Sequence, residues 1–279
     1  MIKVIVDSTA DLTDEVRKRV CVVPLTVHFG DVEYIDKVTI DNKTFYEKLI
    51  EDDVIPTTSQ ATPIKFEDEY DKIAPGDEAI VITLSSKLSG TYQSACIAAG
   101  DREGIYVVDS DNVTVGTSIL VEEALNLIDA GLSAKEIAAK LEEDKERILV
   151  IALLDTLEYL KKGGRISPTV AFIGGILNVK PVINIEHGVI NVLGKARGSK
   201  HGNNLLVEEI KKSGGVDFDM PVLLGYTGLT DNLLLKYIDD SKPLWDNSSE
   251  ELRYTSIGSV IGTHAGPGAI AVAFFKNNA

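Results

Sequence analysis

Cysteine is nearly missing from this chain. Its two residues, Cys21 and Cys96, lie far apart and outside any CxxC or metal-ligand spacing. That excludes a disulfide framework and a thiolate zinc site, and two buried, reduced thiols are expected instead. Long apolar runs are missing too. The longest, residues 148–154, is far too short to cross a bilayer as a helix. The first residues place Lys3 and Asp7 around only three apolar side chains, unlike the apolar stretch of a signal peptide. A cytoplasmic protein with no stable membrane insertion is the expectation. Basic residues are outnumbered, with 28 Lys and Arg against 43 Asp and Glu for a net charge of −15. This argues against nonspecific binding to nucleic acid or anionic membranes and favours a small molecule or a protein as partner. No P-loop, no G-x-S-x-G elbow and no HExxH motif occurs. Neither a metal nor a cofactor is expected.

What is present suits an ordinary globular protein: 44% hydrophobic and 25% charged residues, without low-complexity segments. At 279 residues the chain is long enough for two cores. Residues 2–6 read as a buried strand broken by Asp7-Ser8-Thr9, and residues 22–29 as an extended segment. Residues 44–50 read as helical, Thr62 with Pro63 as the start of a helix to residue 73, and residues 79–84 as a strand. Residues 91–99 and 113–128 read as helices on either side of a strand at 105–108. Ser133 and Glu136 form a capping box that opens an amphipathic helix. Alternation of this kind implies an α/β fold with a largely parallel sheet covered on both faces. After a strand at 148–154, residues 157–162 form a short helix closed by Gly163-Gly164. Ser167-Pro168 caps a further helix at 169–177, and His187-Gly188 is the turn of a hairpin. Two α/β domains are expected, residues 1–147 and 148–279.

Several constellations could carry chemistry. Residues 85–91 follow a strand and open a helix, so their hydroxyls and backbone N–H groups either converge on an anion or simply cap the helix end. Thr57-Thr58-Ser59-Gln60 supplies a second cluster of donors with the same two readings. His264 stands among Gly262, Gly266 and Gly268, where backbone can approach a ligand and the imidazole can hydrogen-bond it. His28, His187 and His201 read as structural or solvated. Arg165, just after a helix end, and Arg197 are the well-framed cations; each either meets a partner or pairs locally.

These segments, in this order, resemble the DegV family. The matching pieces are Asp7-Ser8-Thr9, Thr57-Thr58-Ser59-Gln60, residues 85–95, Asp109-Ser110, residues 157–167, 175–181, 194–198 and 262–269. The resemblance implies two α/β domains with a lipid-binding cleft between them, holding a long-chain fatty acid with its tail in an apolar tunnel. Members of this kind serve as acyl-binding subunits of a bacterial fatty-acid kinase. A separate ATP-binding subunit phosphorylates the bound carboxylate, and the acyl phosphate is carried toward phospholipid synthesis. Carried over by position, the carboxylate ligands are Thr58 or Ser59, with Ser89, the neighbouring backbone N–H of Gly90, and His264. Arg165 matches the arginine implicated in partner docking. Ala61 stands where many relatives have proline, which leaves the choice between Thr58 and Ser59 open. The resemblance thus implies a lipid-binding carrier and not an enzyme. The alternatives are a Ser/His acyl hydrolase built on Ser89 and His264, and a lipid sensor with no kinase partner.

Overall fold

The computed structural model describes residues 1–52, 54–167, 179–246 and 251–277. The helix expected at 169–177 lies outside them. The first half is built on a four-stranded, all-parallel sheet in the order β2-β1-β6-β7: β1 is Ile2–Asp7, β2 Cys21–Val23, β6 Glu78–Thr83 and β7 Ile105–Asp109. Its strands are apolar on both faces because both are covered. Val4, Val6, Ile80 and Ile82 point toward α5 (Thr114–Asp129) and α6 (Ala134–Asp144), whereas Ile5, Ala79 and Val81 meet α3 (Pro63–Tyr70) and α4 (Thr91–Ala99). The capping box of α6 forms as read, with Ser133 and Glu136 bonded reciprocally. Thr62 and Pro63 do start α3, although the Thr62 side chain makes no cap bond.

The extended segment at 22–29 is in fact two strands in different sheets. Pro24, which has no N–H to give to a ladder, separates β2 from β3 (Thr26–Phe29). β3 is the centre of a small antiparallel sheet, β4-β3-β5, with β4 at Val32–Ile35 and β5 at Thr57–Ser59. The thiols also differ from expectation. Both cysteines are free, but Cys21 begins an edge strand and is exposed, and Cys96 is only half-buried on α4.

Among the described residues, the strands from residue 148 onward pair only with one another. They form a six-stranded sheet, β10-β9-β8-β13-β11-β12, antiparallel except for the β11–β12 pair. The strands are β8 (Ile148–Leu153), β9 (Val179–Glu186), β10 (Val189–Arg197), β11 (Leu223–Tyr226), β12 (Tyr254–Ser256) and β13 (Ile270–Phe275). Leu149, Ile151, Val272 and Phe274 bury the outer face under α8 (Gly198–Lys212) and α9 (Asn232–Asp240). The other face, carrying Val150, Ala152 and Ala271, turns toward α5 and the first half. The β9–β10 hairpin turns at His187 and Gly188, both with positive φ (49° and 78°), as a tight two-residue turn requires. A side chain at Gly188 would also strike Ser85 Oγ at 2.6 Å, because the turn packs on the loop between β6 and α4.

Candidate functional site

Between the six-stranded sheet and the first half lies a cavity that encloses about 830 Å³ of space with its open mouth included. Its walls are overwhelmingly apolar. Leu84, Val113, Val150, Leu154, Ile183, Ile185 and Ile257 are among them, and the polar exceptions are Thr58, Ser59, Gln60, Ser89, Thr114, Arg165 and His264. Of the residues expected at a carboxylate site, Thr58, Ser59, Ser89 and His264 all reach this one cavity. Gly90 lies immediately behind it, at the N-cap of α4.

Each polar residue is held by a different element. On β5 successive side chains point to opposite faces. The Thr58 hydroxyl lies 2.9 Å from His264 Nε2, and the Ser59 hydroxyl lies 3.0 Å from His28 Nε2 on the other side. Ser89 sits on the β6–α4 loop, which Asp7 anchors at its start by accepting from Leu84 N at 2.7 Å. Ser89 Oγ pairs with Thr91 Oγ1 at 2.9 Å and accepts from Thr91 N. The two donor clusters are joined directly: Gln60 Nε2 donates to Ser94 Oγ at 2.9 Å, and Ala61 N to Thr91 Oγ1 at 3.4 Å. A Cβ at position 90 would lie 2.2 Å from Gln60 Oε1, so any larger residue there would have to move the Gln60 side chain.

His264 rides on α11 (Ser259–Ala265), a helix from the end of the chain that docks on the first half. Hydrogen bonds to the first half fix its start. Asp11, fully buried, accepts from Gly258 N at 2.9 Å, from Lys37 Nζ at 2.8 Å and from Thr114 Oγ1 at 2.7 Å. Ser259 Oγ donates to buried Asp36, and Tyr46 Oη to the Ile257 carbonyl. Gly262 lets the helix approach, since a Cβ there would strike Tyr46 and Phe45. The far edge of the imidazole faces Gly163, whose absent side chain would lie 2.1 Å from Nδ1. Among the described residues Nδ1 has no hydrogen-bond partner. Burial, and secondarily the Arg165 guanidinium, lowers the His264 pKa to about 4, so the ring is neutral at physiological pH.

Arg165 is half-buried. It donates from Nη1 to the Gly163 carbonyl at 2.7 Å and from Nε to the Leu88 carbonyl at 3.2 Å. It lines the cavity and also an outward pocket with Lys87, Gly164 and Val189, so it forms the wall between interior and surface. Arg197 ends β10 and does not reach the cavity. The sequence reading assigned nothing to Gln60 by itself, nor to the apolar walls on β8, β9 and β13. Their signal is alternation along each strand, which becomes informative only once the face toward the cavity is known.

The Ser89 and His264 side chains do not pair: the hydroxyl bonds Thr91 and the ring bonds Thr58. Among the described residues no carboxylate lines the cavity to orient the imidazole. No His, Cys, Asp and Glu cluster fit for a metal occurs among the described residues, and none of their helices is long and apolar enough to cross a membrane.

Fold and site together define an α/β protein with an apolar chamber and a polar, cation-bearing mouth. The chain belongs to the DegV family, whose model, described as uncharacterised, matches residues 1–277. It is 36% identical to a DegV domain-containing protein of Caldanaerobacter subterraneus over 98% of each chain. Among solved structures it is similar to a DegV family protein of Thermus thermophilus described for its fatty acid binding (TM-score 0.88, 30% identity, 99% of each chain). Its fold also matches the Fak B3 protein of the Streptococcus pneumoniae fatty acid kinase, loaded with linoleic acid (TM-score 0.87, 21% identity, 99% of this chain and 100% of that one).

Proposed function

We propose that this protein binds a long-chain fatty acid in the cavity and presents its carboxylate to a separate ATP-dependent fatty-acid kinase subunit. The observation that carries the reading is the segregation of the lining: apolar walls, with a few polar exceptions that include Thr58 bonded to His264, Arg165 whose charge reaches the His264 ring, and Ser89. The Thermus relative, at 30% identity, supports it. Each methylene removed from water contributes roughly 0.8 kcal/mol, which favours a long unbranched tail. A buried carboxylate is costly unless several donors meet it. The Thr58 and Ser89 hydroxyls, the Gly90 N–H and the His264 ring are those donors, with Ser59 adjoining them.

In this reading the chain is a carrier without turnover of its own, acting in the cytoplasm and passing the acyl phosphate toward phospholipid synthesis. Phosphoryl transfer belongs to the partner, in keeping with the lack of a P-loop. Arg165, facing both the cavity and the outer pocket, is where the partner docks. The two α/β domains divide at 147/148, a boundary supported by the absence of strand pairing across it among the described residues. Native mass spectrometry of protein purified from bacteria tests the core of the proposal. A copurified fatty acid near one per chain is expected. No lipid, together with no thermal stabilisation by added fatty acids, overturns it. Acyl-phosphate formation with a purified ATP-binding subunit tests the presenting role.

A further inference from the structure

The six-stranded sheet is the floor of the cavity, and its register shows where that floor is lowest. Ala152 on β8 pairs with Ile183 on β9 and with Ala271 on β13, and Ala271 pairs with Gly225 on β11. These four residues form one row across the sheet. The space above Gly225 is filled, because a Cβ there would lie 3.0 Å from Ile257 and from Val115. Ile183 closes the other end of the row. Between those walls stand only two methyl groups, on strands about 4.8 Å apart. Val150 and Leu154, on either side of Ala152 on the same face, are larger and also line the cavity. Among the described residues, the free space over this sheet is therefore deepest across the alanine pair and Ala269, which stands two residues before Ala271 on the same face and also lines the cavity.

We propose that Ala152 and Ala271 are the specificity-determining residues for the ligand's tail: they form the trough that a single polymethylene chain must cross, and their size sets how long a tail is accepted. This rests on the fatty-acid reading of the cavity and goes beyond it by assigning the tail selection to named residues. An isobutyl side chain at either position fills the trough, and an interior this close-packed does not yield readily to added volume. The head-group donors are untouched by the change.

Delipidated wild type, Ala152→Leu and Ala271→Leu, titrated separately with laurate and stearate, test the proposal. Both variants should bind stearate at least about tenfold more weakly and laurate within about twofold of wild type. The melting temperature of each delipidated variant should be unchanged or raised, since the added group fills empty space. Ile183→Ala, which lowers the neighbouring wall instead, should move the preference toward stearate. Equal weakening for both acids places the alanines against the head group or the fold and overturns the assignment. Unchanged stearate affinity in both variants overturns it as well. Wild type that binds neither acid sinks the fatty-acid reading itself, which is a separate failure. If a leucine variant fails to fold, Ile183→Ala decides: no change in its laurate-to-stearate ratio overturns the proposal.

Discussion

Acidification should destabilise the ligand-free protein through His264, and the size of the effect follows from its surroundings. Burial and then Arg165 hold the imidazole pKa at about 4, against an ordinary 6.5. The unfolded chain therefore takes up the proton more readily than the folded one. The stabilisation is fully present above the unfolded pKa and is lost as pH falls through the window between 6.5 and 4. The whole gap is worth about 3 kcal/mol, of which about 2 kcal/mol should be gone near pH 5. Asp7 and Asp36, whose carboxyls burial pushes up, add to the pH dependence as well. They are common to wild type and His264→Gln, so comparing the two proteins cancels them. Denaturant unfolding of both proteins at about pH 7.5 and about pH 5 should show wild type losing about 2 kcal/mol more than the variant. Equal losses would mean that the folded imidazole is hydrated or already charged, and the description of the site would be wrong. Saturating fatty acid should shrink the extra loss, because a carboxylate near the ring favours its charged form.

Three further outcomes follow from the same geometry. Ser89→Ala removes one donor to a charged carboxylate and should cost roughly 1.5–3 kcal/mol of fatty-acid affinity by titration calorimetry; full affinity would place the carboxylate elsewhere. Gly163→Ala puts a methyl group 2.1 Å from His264 Nδ1 and must displace the ring, disturbing its contact with Thr58. It should weaken binding by about 1–3 kcal/mol, and wild-type affinity would show that the His264–Thr58 contact does not matter. Arg165→Ala should leave fatty-acid affinity nearly unchanged while acyl-phosphate formation falls, by the equivalent of about 2–5 kcal/mol if the contact with the kinase is buried. Loss of lipid binding in a folded Arg165→Ala protein would assign the guanidinium to the carboxylate and move the docking surface elsewhere.

The sequence by itself determined whatever neighbouring residues encode. The helix at 91–99, the capping box at Ser133, the turn at His187-Gly188 and the strand opening the second half all rest on short-range periodicity, caps and turn chemistry, and all are found where expected. The polar site residues were legible for a similar reason: Ser89, Thr58 and His264 sit in short runs whose order matches the family. Tertiary structure alone decided how these pieces meet. The small β4-β3-β5 sheet was invisible because its strands are short and pair with residues remote in the chain. That pairing turns Thr58, and not the Ser59 hydroxyl, toward His264. The largely antiparallel order of the second sheet is likewise a matter of remote partners. The alanine pair on its floor exists as a trough only because Ile183, Ile257 and Val115 rise around it. The same holds for charge: nothing in the residues flanking His264 marks it as neutral, and its lowered pKa comes from burial between two distant segments and from Arg165. Caps and turns are local in energy and so local in sequence, whereas pairing, cavity shape and desolvation are set by atoms that folding alone brings together.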